Sequence, residues 1–252
     1  MKNNKELKQT ALELSKKIIS TIGTDAYSSI PFQHCIVDDA FDLELLKDCD
    51  SAFDDRNNSQ WDHQDDSDIE IKSRSNWESE MDIPDGVLPI VRVFNSAIVL
   101  RAISEVLGIP KLIPDPYFSG GGMNVTQPGG LLDVHVDGNY HDATGLNRRI
   151  NIILYLTEDW SETWGGEFGM YSDDGETCVK KIPPIRNRII IFDTHDKSYH
   201  GLPNPLNYPL GKERRSIILD YYTLASRPSD QVVEKKPHSA LWKKRGFLDK
   251  RG

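Results

Sequence analysis

His135, Val136 and Asp137 form a His-x-Asp triplet, and further along the run Ser198-Tyr199-His200-Gly201 offers another imidazole. Two imidazoles and one carboxylate can occupy one triangular face of an octahedral Fe(II), leaving the opposite positions open for a cosubstrate and dioxygen. On a β-strand, residues i and i+2 project from the same side, so His135 and Asp137 can grip a single ion. The third ligand must then come from a distant strand, and His141, His195 and His200 compete for that place. Arg214 and Ser216 repeat the i, i+2 spacing and set a guanidinium and a hydroxyl on one strand face. Such a pair suits a carboxylate, because arginine presents planar bidentate donors and stays charged when buried. A dicarboxylate cosubstrate fits both clusters, with one end chelating iron and the other held by Arg214, Ser216 and the hydroxyl of Tyr155.

These residues lie where the sequence reads as strands. Arg149 to Leu156 is β-branched and buried in character, Gly165-Gly166 opens a strand at Glu167, Arg188 to Phe192 is almost wholly apolar, and Ser216 to Tyr222 is a further strand. The N-terminal third is helical instead. Leu7, Ala11, Leu14, Ile18 and Ile22 recur at spacings of three and four over residues 5 to 22, the stripe of an amphipathic helix that Gly23 stops. A short strand is expected over Pro31 to Val37, then a helix capped by Asp42 that buries Leu45, Leu46, Cys49 and Phe53. Another helix starts near Asp85, stacks Ile90, Phe94 and Ile98, and ends at Gly108-Ile109-Pro110. Many short strands after a helical third predict an α+β fold, a double-stranded β-helix (jelly-roll) core buttressed by N-terminal helices.

A single domain over residues 1 to 252 is expected, with helical support and a lid in 1 to 111, the jelly-roll core in 112 to 225 and a C-terminal tail in 226 to 252. Residues 55 to 85 are polar, acidic and aperiodic, and read as a solvated loop or a mobile lid. They lack the glycine a calcium loop needs at its sharp turn. The tail, with Lys243-Lys244-Arg245 and Lys250-Arg251, reads as a solvated terminus. Gly120-Gly121-Gly122 is followed by no helix signal and no Gly-Lys-Ser/Thr, and reads as a turn feeding a strand rather than a phosphate loop.

Composition narrows the function classes. Hydrophobic content of 38% and charge of 27% are ordinary for a soluble chain. No apolar run approaches the roughly 18 to 20 residues that span a bilayer. The charged N-terminus is unlike a signal peptide, so a cytoplasmic protein without membrane partners is expected. Cys35, Cys49 and Cys178 are odd in number and lack Cys-x-x-Cys spacing, as expected of reduced buried thiols. The net charge of −9 argues against nucleic acid as a partner.

Taken together, the ordered motifs resemble the Fe(II)- and 2-oxoglutarate-dependent dioxygenases of the prolyl 4-hydroxylase type. The resemblance runs over roughly residues 80 to 225. It includes Leu112-Ile113-Pro114-Asp115-Pro116, Gly120-Gly121-Gly122, Pro128-Gly129-Gly130 through His135-Val136-Asp137, and Arg148-Arg149-Ile150-Asn151. It continues with Tyr155-Leu156-Thr157-Glu158-Asp159-Trp160, Trp164-Gly165-Gly166-Glu167, Ser198-Tyr199-His200-Gly201 and Arg214-Arg215-Ser216. The resemblance implies that His135, Asp137 and His200 are the catalytic iron ligands, and that Arg214, Ser216 and Tyr155 bind the distal carboxylate of 2-oxoglutarate. Arg148 matches an arginine that faces substrate in some relatives, against the simpler reading of a surface salt bridge. The family pattern favours His200 over His195 and His141.

Two departures stand out. Arginine replaces the lysine usual at the distal-carboxylate position of vertebrate-type collagen enzymes, and Pro203 to Gly211 lengthens the interval between His200 and Arg214. Arg215 therefore competes with Arg214, and alternation with Ser216 favours Arg214. Cofactors implied are Fe(II), 2-oxoglutarate and O2, with ascorbate an open addition. Asp137 implies hydroxylation, since related halogenases carry a small residue in its place. The substrate class is a prolyl residue of a protein or peptide, a free amino acid or another small molecule; oligomeric state is left open. Two other classes compete: a non-catalytic jelly-roll binding module, and a cupin-like metalloenzyme that does not use 2-oxoglutarate. The intact ligand set counts against the first and Arg214-x-Ser216 against the second.

Overall fold

A computed structural model describes residues 2–54 and 61–245. In chain order the elements are α1 (Asn4–Ile19), β1 (Tyr27–Ser28), β2 (His34–Val37), α2 (Leu43–Asp54), β3 (Trp61–Asp66), β4 (Glu70–Ser75), α3 (Leu88–Phe94) and α4 (Ala97–Leu107). Then follow β5 (Ile113–Pro114), β6 (Gly122–Thr126), β7 (Leu131–Leu132), β8 (His135–Val136), β9 (Asn147–Tyr155), β10 (Phe168–Tyr171) and β11 (Cys178–Ile182). The chain closes with β12 (Ile189–Asp193), β13 (His200–Gly201), β14 (Arg214–Thr223) and β15 (Leu241–Trp242). Among the described residues the strands make two antiparallel sheets. The larger has the order β1-β2-β12-β9-β14-β6-β4-β3, with β5 on β14 and β7 on β4, and the smaller has the order β11-β10-β13-β8-β15.

The period-two side-chain alternation of β9, β12 and β14 gives the larger sheet two apolar faces. Ile150, Ile152 and Leu154, with Ile189, Ile191, Ile217 and Leu219, pack with the buried stripes of the helices, including Leu14, Ile18, Ile103 and Leu107. The intervening residues Ile153, Tyr155, Ile190 and Phe192 face the other way, where Phe168, Met170 and Ile182 of the smaller sheet meet them. The result is the α+β architecture expected, a jelly-roll core with helices on one outer face. Cys35, Cys49 and Cys178 are all free thiols. Among the described residues no helix is long and apolar enough to cross a membrane.

Local readings differ from the structure in four places. Helix α1 ends at Ile19, because the Ser20 backbone N–H and the Thr21 hydroxyl cap its last carbonyls, leaving Ile22 half exposed. The single helix expected from Asp85 is two, broken at Asn95 and Ser96, where the Ser96 hydroxyl accepts from Val99 N and starts α4. Within the acidic segment, residues 61–75 form a hairpin rather than a loop, and β4 pairs with Val125 and Asn124 of β6 and with β7. Its polar sequence hides the strands because it lies at the sheet margin, where backbone pairing is joined by polar cross-strand contacts such as Arg74 with Asp62 and His63 with Ser73 rather than by an apolar face. Residues 55–60 of that segment lie outside the described residues. The C-terminal tail is not a solvated terminus over residues 241–245: β15 adds to β8 and Arg245 is bound to Asp133. A tail stripped of apolar periodicity can still be recruited by an unpaired strand edge.

Candidate active site

The two-residue strands β8 and β13 lie side by side in the smaller sheet, with His135 directly opposite His200. Their approach is close enough that a Cβ on Gly201 would come within 2.7 Å of the Asp133 carbonyl oxygen, so only glycine follows His200 without displacing the strand. Register thus sets the two imidazole centroids 4.5 Å apart, and Asp137 follows on the same side of the chain as His135. One ligand atom from each of His135, Asp137 and His200 lies within 4.8 Å of the others.

Hydrogen bonding prepares this cluster for a cation. The His135 Nδ1–H donates to the Asp133 carbonyl at 2.9 Å, and the His200 Nδ1–H donates to the Ser198 carbonyl at 2.8 Å. Because a carbonyl can only accept, the neutral form of each ring carries its lone pair on Nε2, which points into the cluster. Asp137 Oδ1 is 3.5 Å from the His135 Nε2 and 3.8 Å from that of His200, and Asp137 Oδ2 is buried without a hydrogen-bond partner among the described residues. Burial alone would favour the neutral Asp137 acid, but Arg148, His200 and His135 outweigh it and hold the carboxyl well below its usual range. Burial lowers the His200 imidazole to about 4 against the opposing pull of Asp137. A carboxylate and neutral imidazoles are the protonation states metal binding requires.

The other candidate ligands are engaged elsewhere. His141 donates from Nε2 to Asp115 at 2.9 Å and accepts the Ala143 and Thr144 backbone N–H groups on Nδ1. His195 accepts from Lys197 N and packs edge-on to Phe32.

Strand alternation likewise separates the two candidate arginines. Arg214 turns inward, buried, with Nε donating to the Gly166 carbonyl at 2.8 Å and Nη2 to the Tyr155 hydroxyl at 3.2 Å. Arg215 turns to the opposite face, where it pairs with Asp54 and Glu213 and covers the Phe53 ring. Ser216 Oγ, on the same face as Arg214, is buried with no partner among the described residues. So is the hydroxyl of Tyr208, which comes from the proline-rich insertion and was not foreseen. Its only sequence signal is the insertion itself, which returns to pack Tyr208 on Trp164. Gly166, at φ +84°, leaves the room: a Cβ there would meet Tyr208 Oη at 3.2 Å and Arg214 Cδ at 3.3 Å. Burial raises the Tyr155 phenol and pushes that of Tyr208 up to about 12, so both remain hydrogen-bond donors. One buried cation ringed by hydroxyls with unmet hydrogen-bonding capacity is a cradle for a carboxylate.

Arg148 is no surface salt bridge. Its Nη2 lies 2.5 Å from Asp220 Oδ1 and 3.6 Å from Asp137 Oδ2, so it stands beside the free oxygen of the candidate ligand. Burial raises Asp220 to about 6, with the Arg148 charge opposing. A cleft of about 380 Å³ opens here, lined among others by Asp137, Arg148, His141, Tyr222, Arg74 and His238.

Comparison with known proteins agrees with this picture. Residues 121–222 match the family described as the 2OG-Fe(II) oxygenase superfamily. A curated relative, prolyl 3-hydroxylase OGFOD1 of Xenopus laevis, is 33% identical over 81 residues; the match takes in 31% of this chain and only 16% of that relative. Among solved structures, the chain is similar to a prolyl hydroxylase from Trichoplax adhaerens in complex with a hypoxia inducible factor oxygen degradation domain peptide fragment. The TM-score there is 0.62 at 15% identity, covering 88% of this chain and 94% of that one. It is also similar to a Pseudomonas putida prolyl-4-hydroxylase, with a TM-score of 0.59 at 16% identity over 83% of this chain and 98% of the other. Residues 121–222 thus match the 2OG-Fe(II) oxygenase superfamily, and the chain has the fold of these prolyl hydroxylases.

Proposed function

We propose that the chain is an Fe(II)- and 2-oxoglutarate-dependent dioxygenase that hydroxylates a C–H bond of a prolyl residue in a protein or peptide. The observation that carries the reading is the convergence of two imidazoles and one carboxylate with ligand atoms within 4.8 Å of one another, in a fold that also buries an arginine among hydroxyls unpartnered among the described residues. His135, Asp137 and His200 would hold the metal, and Arg214, Ser216, Tyr155 and Tyr208 would hold the distal carboxylate of 2-oxoglutarate. Bound Fe(II) and 2-oxoglutarate supply the oxidative chemistry, in which dioxygen is consumed, the cosubstrate is decarboxylated to succinate and one oxygen atom enters the substrate.

The chain's own residues bind, orient and exclude water. Phe168 and Phe192 press on the His200 ring, with centroids 5.3 and 5.0 Å away, and keep that side dry. Arg148 holds Asp137 ionised and anchors its free oxygen beside the cleft, so substrate entering there passes next to the ligand carboxylate. The prolyl choice is supported by the prolyl 3-hydroxylase relative and by the peptide-bound fold neighbour.

The test is to load the protein with Fe(II), supply 2-oxoglutarate and dioxygen, and measure succinate with and without proline-containing peptides and free proline. Peptide-dependent succinate with gain of one oxygen atom on a prolyl residue is the expected result. Stimulation by free proline alone would reassign the substrate class. Absence of succinate under every condition, with metal binding unaltered by His135→Ala, would sink the oxygenase reading.

A further inference from the structure

The C-terminal strand has a closer relation to the candidate metal ligands than an added edge strand requires. Trp242 lies opposite His135 in the β15–β8 register, and its indole stacks on the imidazole with centroids 4.3 Å apart and planes 29° from parallel. The next contacts fasten the same place from behind. Lys243 N donates to the Val134 carbonyl at 2.8 Å. Arg245 donates from Nε and its backbone N–H to the two carboxylate oxygens of Asp133, at 2.6 and 3.1 Å, and from Nη2 to the Leu202 carbonyl at 2.9 Å. Asp133 is the residue whose carbonyl receives the His135 Nδ1–H, and Leu202 stands two residues past His200. Arg245 therefore ties together the approach to one ligand and the exit from the other.

Upstream, the same segment runs against the second half of the His-x-Asp triplet. Asn139 N donates to the His238 carbonyl at 3.2 Å, and His238 N donates back to Asn139 Oδ1 at 3.0 Å. Gly138, next to Asp137, lets this happen: a Cβ there would sit 3.0 Å from the His238 carbonyl oxygen. His238, Ser239 and Ala240 then form one wall of the cleft beside Asp137.

Once its backbone is placed, a metal-binding imidazole still turns about two bonds, Cα–Cβ and Cβ–Cγ, and its ring orientation has to be fixed. The Nδ1 hydrogen bond limits it in the plane, and a stacked ring limits rocking out of it. His200 receives that second restraint from Phe168 and Phe192 of the core. His135 receives it from Trp242. We propose that Trp242 is a positioning residue for the metal ligand His135, and that the C-terminal strand carrying it is an integral part of the metal site. The inference rests on the metal-site reading above. Partners that orient a ligand from behind are worth about 10- to 100-fold in metal affinity when removed.

Co(II), with its visible d–d bands, is the probe, titrated into the full chain and into the Trp242→Ala and Trp242→Phe variants. Trp242→Ala is expected to weaken Co(II) binding about 10- to 100-fold and to alter the d–d envelope, with Trp242→Phe restoring affinity to within a few-fold because a ring still stacks. Co(II) should also quench tryptophan emission in the wild type, with most of the quenching lost in Trp242→Phe. That readout stands even if the alanine variant fails to fold. Wild-type affinity and an unchanged d–d spectrum in a folded Trp242→Ala variant would overturn the proposal, as would undiminished quenching in Trp242→Phe. Wild-type Co(II) binding that survives His135→Ala would instead sink the metal-site reading, and this inference with it.

Discussion

The two imidazoles of the candidate site are held by different kinds of structure. His200 is packed by Phe168 and Phe192, both buried in the interior between the sheets, and Phe192 belongs to an apolar strand paired on both sides. His135 lies on β8, one strand in from the edge of the smaller sheet, and its ring is covered by half-buried Trp242 of the edge strand β15. The core side gets its order from the same burial that folds the protein. The rim side depends on a short strand that could detach without unfolding the rest, because local stability falls where buried contacts are few.

Substitutions can break this comparison in order of size. Phe192→Ala should cost about 3–5 kcal/mol of unfolding free energy, the usual cost of emptying a buried aromatic site, in addition to loosening the His200 ring that it packs. Denaturant melts of the metal-free protein check it, and an unchanged midpoint would show that the core side is no more structural than the rim.

The carboxylate cradle extends the contrast to the two faces of β14. Arg214→Ala should raise the 2-oxoglutarate KM about 100-fold, since a buried carboxylate would lose its only named cationic partner, a change worth roughly 2–5 kcal/mol. Arg215→Ala, on the outer face, should leave that KM within about two-fold, its ion pairs being partly solvated. Steady-state kinetics on both variants decide between them, and equal effects would refute the inward and outward assignment.

A pH dependence belongs to the core side. His34, opposite Phe192 in the register, is buried, and burial lowers its imidazole to about 4, against the opposing Phe32 carbonyl and with help from neighbouring Lys180. The unfolded chain, with His near 6.5, binds the proton more readily, so this contribution to stability is intact above about pH 6.5 and is lost as pH falls toward 4. The loss should reach at most roughly 3 kcal/mol, and His34→Gln should flatten the stability profile across that window. An unaltered profile in the variant would assign the dependence to other groups.

Within the cradle the smaller effect is expected at Tyr208. Removing one hydroxyl that would donate to the bound carboxylate, Tyr208→Phe should raise the 2-oxoglutarate KM several-fold, about 1 kcal/mol, with little change in melting temperature. No change in KM would exclude Tyr208 from the cradle.

Much of this arrangement was legible from residue order. The inner strands β9, β12 and β14 announced themselves because strands buried on both faces must be apolar throughout, as in Arg188 to Phe192. The i, i+2 rule also placed Arg214 and Ser216 on one face, and the structure has Arg215 on the other. The edges were hidden. Residues 61–75 are polar because a marginal hairpin buries little, and Leu241–Trp242 is too short to carry a period. Tyr208 could not be foreseen because a loop carries no periodicity to say where it returns.

Sequence alone determined the chemistry on offer: the candidate ligand types, the arginine and serine proposed as a carboxylate clamp and the strand faces that bear them, since side-chain alternation is a local property of an extended backbone. Only the tertiary structure decided which histidine stands opposite His135, that Arg148 lies beside the free oxygen of Asp137, and that β15 returns to lay Trp242 on the His135 ring. Those are matters of strand register and edge pairing between distant segments, which depend on how the whole sheet closes.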